Sequence, residues 1–142
     1  LNFPEYEFHI QEQEQKKVIF DPIRKKFIPL TPEEWVRQHC ICHLVQRFNL
    51  PIGLIAVERE IQVHGLRKRF DIVGFANSGS PLILIECKAT SVELTQETLI
   101  QVATYNNKLD SPWMWITNGI QHAWFERKNG KTQLVAAPEK LI

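Results

Sequence analysis

The chain has 142 residues and a formal net charge of +1, enough length for one domain with a real hydrophobic core and no global electrostatic footprint for nucleic acid. No stretch is long and apolar enough to span a bilayer, and no secretory signal is visible at a start that lacks Met. The cysteines, Cys40, Cys42 and Cys87, build no even-numbered disulfide framework, so a reducing, cytoplasmic setting is expected.

Residues 1–17 are rich in Glu and Gln, with Tyr6, Phe8 and Ile10 at alternate positions, which predicts an added strand or a loosely held arm. Val18-Ile19-Phe20, a turn at Asp21-Pro22 and Phe27-Ile28 predict an N-terminal β-hairpin with a structural role. Thr31-Pro32-Glu33-Glu34 opens a helix: Thr31 is a good N-cap, Pro32 suits the first helical position, and Glu34 stands where a capping box needs its acid. Val36, Cys40, Leu44 and Phe48 follow at helical spacing, and Asn49-Leu50-Pro51 ends the run. Leu54 to Val63 reads as a strand that His64-Gly65 turns into the next, the one carrying Asp71. A second helix is expected from about Glu93 to Tyr105, then a strand at Trp113–Thr117, a turn at Asn118-Gly119 and a return strand from Gln121 to Phe125. The segment beyond, ending in Pro138-Glu139-Lys140, carries no clear signal. The order predicts an α/β or α+β fold, a mixed sheet flanked by helices, in a single domain over 1–142.

The most informative stretch is Asp71 through Lys88. Asp71–Ala76 and Pro81–Lys88 flank the turn residues Asn77-Ser78-Gly79-Ser80, the sequence form of a β-hairpin. With the turn centred on Ser78 and Gly79, position 76 opposes 81 and Asp71 opposes Glu86. Lys88 then lies on the same face as Glu86. Leu82 and Leu84 on one face, with Ile83, Ile85 and Cys87 on the other, mark a strand covered on both sides. Like charges directly opposite destabilise a sheet, so the carboxylate pair calls for a counter-ion, naturally a divalent cation with oxygen ligands. The competing reading is a structural Glu86–Lys88 pair at a strand end.

Other groups extend this site. Glu33 shares a helix side with Val36, Arg37 and Cys40 and leans toward the interior. Gln101 and Tyr105, four apart on the second helix, supply an amide and a hydroxyl suited to a phosphate oxygen. Of two short basic runs, Arg24-Lys25-Lys26 and Arg67-Lys68-Arg69, the second abuts Asp71 and is the better candidate for substrate contact. His39-Cys40-Ile41-Cys42-His43 looks like a zinc cluster but is discounted: neighbours on a helix point about 100° apart, so only the two histidines share a face. Gly-rich phosphate loops, G-x-S-x-G, H-E-x-x-H and C-x-x-C are absent.

Taken together, Thr31–Gln38, Arg69–Val73, Leu84–Ala89, Gln101–Asn106 and Ile116–Gly119 resemble, in order, the PD-(D/E)XK nuclease superfamily. They look most like stand-alone relatives of the nuclease domain at the N-terminus of type I restriction enzyme R subunits. The resemblance implies a restriction-endonuclease-like core and metal-dependent cleavage of DNA. It implies Asp71 and Glu86 as ligands of Mg²⁺, with Mn²⁺ as a substitute, and Lys88 orienting the attacking water or stabilising developing charge. Glu33, or failing that Glu34, matches the acid of the first helix, and Gln101 and Tyr105 match a motif that positions DNA or Lys88. The R subunits continue into an ATP-driven motor that has no counterpart here, so no nucleotide cofactor is expected. A homodimer is expected if both strands are cut.

Overall fold

A computed structural model describes residues 1–142. Three short strands, β1 (Ile10–Gln13), β2 (Lys16–Asp21) and β3 (Lys26–Pro29), form an antiparallel sheet in the order β1-β2-β3. The helix α1 (Pro32–Gln46) follows, then β4 (Ile55–Val63), β5 (Leu66–Phe75) and β6 (Pro81–Cys87). The helix α2 (Gln96–Leu109) leads to β7 (Trp113–Thr117), β8 (His122–Lys128) and β9 (Lys131–Val135). The six later strands make one sheet in chain order, antiparallel except for the parallel β6–β7 pair that α2 connects. The fold is therefore mixed α+β, as the pattern predicts. No helix is long and apolar enough to cross a membrane.

The large sheet is covered on both faces. Val36, Cys40, Ile41 and Leu44 of α1 pack with Ile72, Ile83, Ile85, Cys87 and the ring of Trp115. Val102 and Leu109 of α2 pack on the other side with Phe70, Val73, Leu84, Met114, Ile116 and Phe125. All residues of β7 are buried, and β6 is apolar on both faces, as a central strand requires. Burial of each large side chain contributes about 1.5–3 kcal/mol.

Several expectations are corrected. The second helix begins at Gln96, not Glu93, because the Thr95 hydroxyl caps it by accepting from the Thr98 N–H. It continues past Tyr105 to Leu109, whose side chain is buried, and stops at Asp110 in a left-handed conformation. The strand β9 lies in the segment without clear signal, although Asn129-Gly130 takes positive φ at both positions as a tight hairpin turn demands. Asn118 does not build such a turn: its Oδ1 accepts from the Ile120 and Gln121 N–H groups. In the β5–β6 hairpin, Phe75 rather than Ala76 pairs with Pro81, a bulge absorbing the difference. Below the bulge the expected register holds, with Ile72 opposite Ile85 and Val73 opposite Leu84.

Candidate active site

The regular β5–β6 pairing stops at Ile72 and Ile85. One residue beyond, the strands part, and the Cys87 N–H donates to the Asp71 carboxylate at 2.7 Å instead of to a backbone carbonyl. Asp71 thus sits at the opening of the hairpin, with the Arg37 guanidinium 3.6 Å away. Burial raises the pKa of Asp71 above the usual carboxylate range. The Cys87 hydrogen bond and Arg37 oppose that shift, while the charges of Glu33 and Glu86 reinforce it.

Glu86 points to the α2 side. Its Oε1 lies 2.7 Å from Lys68 Nζ, an ion pair, and this buried oxygen has no other partner. Lys68 Nζ also stands 4.8 Å from the centre of the Tyr105 ring, a cation–π distance. A cleft of about 340 Å³ opens here, lined by Lys68, Glu86, Lys88, Thr98, Gln101 and Tyr105. The Lys88 amide is fixed to the Thr117 carbonyl at 2.8 Å, extending the β6–β7 pairing past the end of β6, and its ammonium is in no ion pair. Glu86, Lys88, Gln101 and Tyr105 therefore share one cleft, whereas Asp71 approaches from the α1 side.

The start of α1 departs from expectation. Thr31 caps by accepting from the Glu34 N–H, but the Glu34 carboxylate does not close a capping box. It is spent on Arg24 and Gln38, each at 3.0 Å. Glu34 is the buried acid, and the Glu33 side chain is half-exposed with Arg37 at 3.9 Å. Arg37, itself buried, is ringed by Glu33, Glu34, Glu58 and Asp71 at 3.5–3.9 Å.

Sequence reasoning passed over Glu58. It adopts φ of 50° inside β4, a conformation that costs a non-glycine residue about 1–2 kcal/mol. It faces Arg37 and Arg69. Burial alone would raise its pKa, but those two guanidinium groups hold it below the usual range. A signal existed: Glu58-Arg59-Glu60 breaks the apolar alternation between Val57 and Ile61.

The basic run divides across the strand. Lys68 faces the cleft, while Arg67 and Arg69 pair with Glu60 and Glu58 and are largely exposed. In the His-Cys stretch, Cys40 is a core residue with its Sγ 3.9 Å from that of Cys87, and His39 and His43 pack around Phe3. No three His, Cys, Asp or Glu side chains converge in metal-ligand geometry anywhere in the chain. Asp71 and Glu86 are two carboxylate donors, which suits an ion that keeps several of its own waters.

Residues 32–139 match the family described as the type I restriction enzyme R protein N terminus. The chain belongs to that family. No curated protein sequence matches it significantly. Among solved structures it is similar to a candidate nuclease of the DUF820 family from Anabaena variabilis ATCC 29413, with a TM-score of 0.53 and 14% identity over 96% of this chain and 85% of that one. At that identity the likeness concerns the fold. As an R-protein N-terminus relative the chain is a nuclease-like domain, and the segment matched to the family begins at Pro32, after the small sheet.

Proposed function

We propose that this chain is a metal-dependent nuclease that hydrolyses DNA phosphodiester bonds. The observation that supports the reading is that Asp71 and Glu86 lie at the same end of adjacent strands, Asp71 bonded to the Cys87 N–H from the α1 side and Glu86 beside Lys88 in the cleft on the α2 side. The donor chemistry fits a divalent cation: both carboxylates are largely buried, and the Glu86 charge adds to the burial that raises the Asp71 pKa. Bound to these carboxylates, Mg²⁺ or Mn²⁺ would polarise a phosphate oxygen and assist the attacking water. The remaining chemistry falls to side chains. The unpaired ammonium of Lys88 is free to donate to the water or to the oxygen where negative charge builds. The Gln101 amide and Tyr105 hydroxyl, lining the same cleft, suit phosphate oxygens of the substrate. Glu33 bears on Asp71 through Arg37 and through its own charge.

The test is cleavage of duplex DNA with and without Mg²⁺. Glu86→Gln keeps the shape of the side chain and should lose at least about a hundredfold in rate. A Glu86→Gln protein that still cuts in a Mg²⁺-dependent way would overturn the assignment.

One observation favours a second reading, a DNA-binding nuclease-like module without robust catalysis. Both carboxylates already have protein counter-ions, Arg37 for Asp71 and Lys68 for Glu86. Salt-dependent binding of DNA with no uptake of Mg²⁺ or Mn²⁺ by calorimetry would decide for that reading.

A further inference from the structure

Apart from Lys88, whose free ammonium is assigned to the chemistry inside the cleft, the cations nearest the site are already committed. Arg37 is enclosed by carboxylates, Lys68 is paired with Glu86, and Arg67 and Arg69 are paired with Glu60 and Glu58. Glu33 and Glu58, both about half-exposed, add negative charge to the rim. A polyanion needs uncommitted positive charge next to such a site, and the net charge of +1 means it must be local.

The β2–β3 turn meets that need. Its frame is Asp21, fully buried, whose carboxylate accepts from the Ile23 N–H at 2.7 Å, the Arg24 N–H at 2.9 Å and the Arg24 guanidinium. Arg24 then reaches Glu34 at 3.0 Å, Glu34 lies 3.7 Å from Arg37, and Arg37 lies 3.6 Å from Asp71. An unbroken chain of ion pairs therefore ties the turn to the candidate metal carboxylate, and the charge of Arg24 is felt at Glu58. On this frame Lys25 and Lys26 are exposed and in no ion pair. Lys25 holds φ of 56°, fixed by its N–H donating to the Asp21 carbonyl at 2.7 Å. Glycine or asparagine adopts that conformation more cheaply, so a lysine here carries a cost that turn formation does not require. A groove of about 490 Å³ also runs between the small sheet and α1, lined by Lys17 and by Thr90, two residues beyond Lys88. The small sheet thus flanks the site end of the large one.

We propose that the β2–β3 turn is a DNA-backbone clamp, in which Lys25 and Lys26 bind phosphates of the substrate strand flanking the scissile bond. The clamp rests on the nuclease reading above, and it lies outside the segment matched to the family. The full 142-residue chain is tested by fluorescence anisotropy with a labelled duplex in EDTA, across a range of salt. The variant Lys25→Glu/Lys26→Glu should bind about tenfold or more weakly, with a salt dependence shallower by roughly two counterions. Lys131→Glu, at the start of β9 on the edge of the large sheet, should bind like wild type. Lys25→Gly separates binding from folding: it relaxes the backbone and should melt no lower than wild type, yet bind more weakly. Glu86→Gln should retain binding and lose cleavage, so failure of the catalytic reading is read separately. Wild-type affinity and salt slope in Lys25→Glu/Lys26→Glu, or no binding of duplex by the wild type, overturns the clamp.

Discussion

Asp71 shows how one side chain is made unfavourable for the fold and favourable for a cation. Its carboxyl is buried beyond what Arg37 and the Cys87 N–H compensate, so its pKa in the folded state is raised. A raised carboxyl pKa means that the native chain holds the proton more tightly than the unfolded chain. Stability is then greatest below the ordinary value near 3.8 and falls as pH rises through the raised value. Above that point the ionised carboxylate is a standing cost. Asp71→Asn keeps an acceptor for the Cys87 N–H and removes the charge. It should therefore melt higher than wild type at pH 7.5, with the advantage vanishing below about pH 4. Calorimetric melts at several pH values check this, and a lower melting temperature for Asp71→Asn at pH 7.5 would contradict it. A bound divalent cation would offset the same cost, so saturating Mg²⁺ should raise the melting temperature of wild type and not of Asp71→Asn.

At the scale of elements, the β5–β6 hairpin was legible because its turn residues and its two apolar runs agree on one register, and the bulge disturbs that register only at the tip. The bulge has its own packing logic. A Cβ at Gly74 would lie 2.7 Å from both Ile83 Cγ2 and Leu50 Cδ2, so this glycine makes room for the chain segment after α1 to close on β5. Gly74→Ala should cost about 1–3 kcal/mol through overpacking, measured by urea unfolding, because the Ile83 branch has little freedom to move. Other features were illegible for physical reasons. The capping-box pattern at Thr31 and Glu34 is genuine local chemistry, but Arg24, outside the helix in the β2–β3 turn, competes for the acid and wins with a charged hydrogen bond. The division of Lys68 from Arg67 and Arg69 follows from strand alternation once the strand is placed, whereas the pairing of Lys68 with Glu86 depends on a neighbouring strand eighteen residues away and leaves no local trace.

At the scale of the whole molecule, the first residues tie the two helical and sheet layers together through histidines. Phe3 packs against His39, His43 and His122 at ring distances of 5.0–5.6 Å, the Tyr6 hydroxyl meets His43 Nδ1 at 2.7 Å, and His122 Nε2 meets the Asn2 carbonyl at 2.8 Å. Burial lowers the pKa of all three imidazoles, and for His43, with Arg47 and His122 adding to the effect, it falls from 6.5 to about 4. The sign follows directly. Between pH 6.5 and about 4 the unfolded chain binds a proton at this position that the native chain refuses, so stability must fall as pH falls through that window. One histidine contributes at most about 1.4 kcal/mol per pH unit, less where water reaches the ring, and His39 and His122 act in the same direction. Urea unfolding followed from pH 7 to pH 4 should therefore show a steady loss. His43→Gln, which keeps a hydrogen-bonding group for Tyr6 but does not titrate, should make that loss shallower, the part due to His39 and His122 remaining. An unchanged acid slope in His43→Gln would mean that the ring is protonated in the folded protein and that the N-terminal segment is not held by a neutral imidazole.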